Sequence, residues 1–271
     1  GGARVILNEV NSSSASQIKG YVEVAGQRAE VIIANPAGIA VNGGGFLNAS
    51  AVTLTTGNVV MNAGNLDSFK VRGGTVTIDG TGLDTSTADY TNILTRALQV
   101  NAGIWAKDLK VATGSNDISA SSAAAPTATA NPTAATGPTP AFALDVASLG
   151  GMYAGKIHLI GTEAGLGIRN AGTIGASAGD VTVTNDGWIS NSGSVYANGN
   201  TSITAQGSIS NTGTGLIASG GNTTVSAQGT GSQVNVASGA TVAAGMSTTG
   251  AISSTGNLTI SSADSTSVQG Q

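Results

Sequence analysis

Ten Asp, four Glu and a single His are the side chains in this sequence best suited to acid–base work or metal ligation, and there is no Cys. The densest carboxylate set is Asp79, Asp84 and Asp89, spaced five residues apart in a turn-rich segment. Carboxylates converging on one face could hold Ca²⁺ through oxygen, or divide acid and base roles in glycosidic cleavage, with a basic residue close by. At this spacing they read instead as solvated turn carboxylates. His158 alternates with Ile157 and Leu159 in a strand-like pattern and is expected to face solvent, so any His-based triad or metal cluster would rest on that one residue. Gly80-Thr81-Gly82 lacks the Lys and the following helix of a phosphate loop and reads as a turn. Trp105 and Trp188 could stack on sugars, although single aromatics of this kind more often pack structure together. The sequence therefore points away from an enzyme, and no cofactor or metal is expected.

The elements that would position such residues are unusual in composition. Charged residues make up 9% and aromatics 3%, while Gly supplies 41 of 271 residues. No apolar run approaches the roughly 18 residues of a spanning helix. All ten Lys and Arg lie at or before Arg169, which argues against nucleic-acid binding, since phosphate contacts need clustered basic side chains. The absence of Cys excludes disulfides and suits a chain exported unfolded through a narrow pore. The sequence starts without Met or a signal peptide and reads as an internal piece of something longer.

Order emerges from a repeated phrase. Ile168-Arg169-Asn170-Ala171-Gly172 returns as Ile189-Ser190-Asn191-Ser192-Gly193 and again as Ile209-Ser210-Asn211-Thr212-Gly213, at offsets of 21 and 20. A second apolar centre runs through Val181-Thr182-Val183-Thr184, Ile203-Thr204 and Val225-Ser226. Short period-two strands separated by Gly- and Asn-rich turns, repeating every 20–22 residues, predict an all-β, right-handed parallel β-helix with short extra-helical elements. Each coil is too thin to bury its own apolar residues and must stack on its neighbours. If one period is one coil, Ile168, Ile189 and Ile209 form one buried column stepping by about 4.8 Å. Asn170, Asn191 and Asn211 then point inward and must hydrogen-bond along the stack. Gly172, Gly193 and Gly213 are expected at a corner with φ above zero.

Earlier in the chain, Arg4-Val5-Ile6-Leu7, Tyr21-Val22-Glu23-Val24 and Val31-Ile32-Ile33 read as strands, and Asn35-Pro36-Ala37-Gly38 as a turn before Ile39. Asp89 to Val100 reads as the one plausible helical turn, from the spacing of Ile93, Leu94, Ala97 and Leu98. Arg96 within it is either solvated or paired with an acid such as Asp89. Four of the five prolines (Pro126, Pro132, Pro138, Pro140) fall in residues 113–140 among Ala, Thr and Ser, so this stretch reads as a mobile loop or linker. The expected organisation is 1–112, a first β-helical block; 113–140, the linker; and 141–271, β-helical repeats.

Several of these stretches resemble a known family. They are Asn8-Glu9-Val10, Glu23 to Ala29, Ala34-Asn35-Pro36-Ala37-Gly38-Ile39, Asn42 to Asn48, Asp89 to Ala106, and the junction at Gly161-Thr162-Glu163-Ala164-Gly165. All are similar to the secretion domain of two-partner secretion exoproteins, the filamentous haemagglutinin-like adhesins and contact-dependent inhibition proteins of Gram-negative bacteria. The family usually has a second Asn where Ala37 stands, and an Asn-Pro-Asn-Leu turn upstream of Asn8. The resemblance implies a secreted or cell-surface exoprotein whose first part, with Asn35, Pro36, Gly38 and Ile39 as its motif turn, is recognised by an outer-membrane transporter partner. It also implies that a cap precedes Val5–Leu7, and that the filament could engage host-cell or bacterial surface receptors or serve as a toxin-delivery stalk. From the residues alone, a polysaccharide-processing β-helix enzyme stays open as the alternative and would need three carboxylates in a groove beside Lys or Arg. A carbohydrate- or ice-binding rod would need a flat Thr face.

Overall fold

The computed structural model describes residues 2–120, 126–253 and 255–271. Stacked coils run the length of the molecule. On one face, ten parallel strands follow each other from Val5–Glu9 through Ala29–Ala34, Ala49–Thr55, Tyr90–Thr95, Asp108–Thr113, Lys156–Gly161, Val181–Asn185, Thr201–Ala205 and Thr223–Ala227 to Leu258–Ser262. Two further parallel stacks form the other faces. Ile39–Leu47 and Thr75–Asp84 run unbroken round the corner between these two stacks, pairing with both. This is a parallel β-helix.

The alternation seen in the sequence sets the inner columns. Ile33, Leu54, Ile93, Val111, Leu159, Val183, Ile203 and Val225 occupy successive register positions of the ten-stranded face. All eight are buried in one continuous core that runs through the rod. Each coil closes its apolar strip against the next, which is how thin coils gain a core.

A second, smaller core lies outside the coils. Hairpin strands Asn58–Asn62 and Asn65–Val71 join Asn116–Ser119 and Thr127–Ala130 in a four-stranded antiparallel sheet. Phe69, Val71 and Ile118 of this sheet pack with Ile32, Leu94 and Ala112 from the outer side of the ten-stranded face. The sheet thus acts as a cover over the first coils.

Two expectations are corrected here. Residues 89–100 are not helical: Tyr90–Thr95 and Ala97–Val100 are strands of different faces. Ile93 faces the inner core while Leu94 faces the cover, so burial on both sides removes the period-two pattern and imitates helical spacing. Nor is 113–140 a structureless linker, since it contributes two strands to the cover and the 3₁₀ turn Pro132–Ala134. Small Ala and Thr side chains suffice there because Ile118 alone carries that segment's deepest apolar contact. Residues 121–125 of that stretch, and Gly1, lie outside the described residues.

Candidate functional site

The turn at Asn35 joins three coils through one side chain. Its Oδ1 accepts from the Ala37 amide at 2.9 Å, closing a local Asx turn, and its Nδ2 donates to the Ser14 carbonyl at 3.0 Å and the Ser16 hydroxyl at 2.9 Å in the preceding coil. Its backbone amide donates to the Thr55 carbonyl in the following coil at 3.0 Å. Asn35 is 0% exposed, and a shorter, longer or acceptor-only side chain would leave buried partners unpaired. Gly38 donates to the Asn35 carbonyl, sits at φ 123°, and has no room for a Cβ beyond 3.0 Å of the Thr75 carbonyl. Ile39 enters the inner column between Ser16 and Val76. Ala37, where the family usually has a second Asn, is the exposed residue of the turn.

Beside this turn, a groove of about 400 Å³ runs past Ala37, Ile39, Arg96, Pro138 and Pro140. Arg96 is buried. Its Nε and Nη2 donate to both oxygens of Glu163 at 3.1 and 2.7 Å, and its Nη1 donates to the carbonyls of Thr136 and Pro138. These hydrogen bonds hold the guanidinium protonated, raising its pKa against the opposing effect of burial. The partner of Arg96 is thus Glu163, two coils further along, rather than Asp89, which pairs with Arg28 at 3.4 Å. A lone acid in the uncharged loop Gly161–Gly165 was the sequence signal for it, but only the coil stacking brings the two together.

In the later coils, Ile168 pairs with Ile189 and Ile189 with Ile209, and all three are buried. Asn170 Nδ2 donates to Asn191 Oδ1 at 2.8 Å, and Asn191 Nδ2 to Asn211 Oδ1 at 2.9 Å, an amide ladder inside the rod. Each amide also bonds turn carbonyls, such as Gly193 for Asn191 and Gly215 for Asn211. The glycines at the corner differ from expectation. Only Gly213 has positive φ, at 60°. Gly172 and Gly193 are required because a Cβ would strike the carbonyl of the coil below, Gly150 for the first and Gly172 for the second.

The candidate chemical residues disperse. Asp79 accepts from Asn101 at 2.8 Å, Asp84 accepts from the amide and hydroxyl of Ser86 at 2.9 and 2.6 Å, and Asp89 holds Arg28. Among the described residues no three His, Asp or Glu side chains gather as a metal site would require. His158 is half-buried rather than fully solvent-facing, and burial together with Lys110 lowers its pKa. Trp188 packs edge-on against Phe142 at 5.8 Å, over Gly167. What this geometry offers is a set of coil-to-coil locks.

The model of the TPS secretion domain matches residues 1–191. The chain belongs to this family. The Toxin CdiA of Yersinia pestis is 48% identical over 213 residues, a match covering 79% of this chain and 6% of that protein. The tRNA nuclease CdiA-2 of Burkholderia pseudomallei is 44% identical over 72% of this chain and 6% of its own length. The crystal structure of the filamentous hemagglutinin secretion domain superposes with a TM-score of 0.64 at 27% identity, over 99% of this chain and 76% of that one. The chain thus spans about 6% of the length of these curated relatives and about three quarters of the solved secretion domain.

Proposed function

We propose that this chain carries the export signal and the first filament coils of a secreted surface exoprotein, read by an outer-membrane transporter partner after passage through the periplasm. The observation that supports this most is the secretion-domain match over residues 1–191, which takes in the Asn35 turn, the cover sheet and the Arg96–Glu163 pair. Asn35, Pro36, Gly38 and Ile39 are the motif turn in this reading. Because Asn35 is wholly enclosed once the coils form, the transporter reads the turn's sequence before folding, or reads the outer residue Ala37 afterwards. Coils then fold one upon another as they emerge, each new strand finding its template in the last. The repeats of Ile168, Asn170 and Gly172, of Ile189, Asn191 and Gly193, and of Ile209, Asn211 and Gly213 serve that stepwise closure.

The names of the relatives favour a toxin-delivery stalk as a second reading beside an adhesin, and the filament serves either. We place the nuclease activity those names carry outside the small fraction of each relative that this chain matches, since the carboxylates here are dispersed. Receptors on host or bacterial surfaces would belong to the whole exoprotein.

Export from a Gram-negative host, with and without a co-expressed two-partner transporter, tests the proposal. Release should require the transporter, fall in Asn35→Ala and persist in Ala37→Asn. Val181→Pro, which removes the donor to the Asn200 carbonyl, should slow release. Equal release without the transporter would sink the export reading, and wild-type release by Val181→Pro would sink the stepwise-folding one.

A further inference from the structure

One outer column of the stack that runs through Gly103–Trp105, Gly151–Ala154, Thr173–Ala176 and Ser194–Ala197 carries four aromatic rings. Strand register places Tyr21, Gly45, Asp84, Trp105, Tyr153, Gly175 and Tyr196 at successive positions. That is six steps, or about 29 Å at the spacing of paired strands. Tyr21, Trp105 and Tyr153 are 68%, 42% and 41% exposed. Each ring lies over a glycine, Gly45, Gly103 and Gly151 respectively, where a Cβ would collide with several ring atoms at once. The rings therefore rest against the sheet and keep part of their surface in solvent. Trp105 and Tyr153 have centroids 6.0 Å apart and planes 18° from parallel.

Gly175 leaves a notch between Tyr153 and Tyr196. A Cβ there would meet only the Thr173 methyl at 3.8 Å, so the space is open. The resulting groove, about 440 Å³, is bounded by Trp105, Tyr153 and Tyr196, with Ser177, Asn198 and Thr248 at its rim and no charged side chain. Tyr196 is fixed by its hydroxyl donating to the Met246 carbonyl at 2.7 Å. A second trough between Tyr21 and Trp105 shares Trp105 with the first, so the platform continues along the rod.

We propose that this aromatic column binds a neutral glycan chain lying along the rod axis. Flat ring faces meet the C–H face of a pyranose, while rim hydroxyls and an amide suit its equatorial hydroxyls. The step between coils is close to the rise of one sugar in an extended chain, so Trp105 and Tyr153, one step apart, can meet successive units, and Tyr196, two steps beyond Tyr153, the next unit but one. Charge selects the class: the column's one ionisable carboxylate, Asp84, would repel uronates and sulfated sugars. A polyproline peptide, which also docks in aromatic-lined grooves, is the competing class that the test below separates. This site lies on a different face from the cover sheet and does not depend on the export reading.

The test is calorimetric titration of the folded chain with cellohexaose, maltohexaose and laminarihexaose, and with hexagalacturonate and decaproline as competing classes. At least one neutral hexamer should bind, and Trp105→Ala should weaken it about tenfold, as expected for loss of one stacking ring. Gly175→Leu keeps every ring but fills the notch, and its open surroundings let it fold. It should weaken the same sugar by a similar factor, with far-UV circular dichroism confirming the coils. The proposal is overturned if no neutral hexamer binds, if both variants bind as the wild type does, or if hexagalacturonate or decaproline binds more tightly.

Discussion

The coils up to Gly161 and the coils beyond it share their inner columns and differ on their outer face. In the first region Ile32, Leu94 and Ala112 point outward and are buried beneath the antiparallel cover. In the second, the same register positions hold Thr182, Ser202 and Thr224 in one column and Thr184, Thr204 and Ser226 in the next, all half-exposed. The first region is stitched by long-range, unrepeated locks such as Asn35 to Ser14, and Arg96 to Glu163 ties it to the loop just beyond Gly161. The second is stitched by one lock repeated, the Asn170–Asn191–Asn211 ladder. A repeated lock lets coils be added without limit, whereas the unrepeated ones define a single unit with its own boundary. That difference leaves the earlier coils covered and the later ones open on their outer side.

Phe69→Ala should break the contrast most visibly. It empties the centre of the cover's core, where Phe→Ala truncations cost about 3–5 kcal/mol, and leaves the later coils untouched. Urea unfolding followed in Trp188→Phe and Trp105→Phe backgrounds would separate the regions, because Trp105 reports the first and Trp188 the second. The Trp105 signal should shift to lower urea by the larger amount. Equal shifts would show that the rod unfolds as one piece and that the two regions are not energetically distinct.

Glu163→Ala should cost about 3 kcal/mol, since removing one member of a buried pair strands the other. Thr136 and Pro138 carbonyls still solvate part of the guanidinium, which keeps the loss at the lower end. Arg96→Met with Glu163→Leu should recover most of it. A double variant as unstable as the single one would mean that the pair, rather than its desolvation, holds the two regions together.

In the repeat region, Asn191→Leu should cost about 1–3 kcal/mol by leaving Asn170, Asn211 and the Gly193 carbonyl short of partners. Ser190→Leu, on the half-exposed outer side, should change stability by about 0.5 kcal/mol or less, the usual range for surface substitutions. Thermal unfolding of the two variants side by side decides whether the amides or merely the column's bulk matters. Gly193→Ala should prove worse than Gly213→Ala, because a Cβ at the first has no space and at the second meets nothing.

How much of this was legible depended on whether a residue's neighbours lie on one face or two. The later coils have a polar outer face, so Val181-Thr182-Val183-Thr184 displays its alternation openly and the Asn and Ile columns could be read from spacing alone. The earlier coils are covered on the outside, so Ile32-Ile33 and Ile93-Leu94 show no alternation, and the second pair passed for a helix. Arg96 and Glu163 are 67 residues apart, and their meeting depends on the insertions between coils, which leave no periodic trace. The aromatic column was hidden for the same reason. Tyr21, Trp105, Tyr153 and Tyr196 have irregular spacings that become one line only after the register is known. The glycines were expected to share a positive φ and only Gly213 has it, because spacing cannot distinguish a positive φ from a carbonyl pressed against Cα.

The smallest expected effect lies at the seam between the regions, at His158. It shares an outer column with Lys110 on the covered side and Thr182 on the open side. Burial lowers its pKa from 6.5, Lys110 and Lys156 add to this, and Asp108 opposes it. Pro126 and Thr127 line the same small cavity from the cover. The unfolded chain therefore takes up this proton at higher pH than the folded one. The neutral imidazole's contribution is fully present above about pH 6.5 and is lost as pH falls from there towards the depressed folded value. Glu30 and Asp186, both raised by burial, act with the opposite sign: each favours the fold as pH falls into the carboxylate range. The difference in stability between wild type and His158→Gln across pH 5–7.5 isolates the histidine, in the range where imidazoles titrate (about 5–8). That difference should rise with pH and level off above pH 6.5. A flat difference would mean that the folded imidazole titrates as freely as the unfolded one, and that the cover does not reach across the seam.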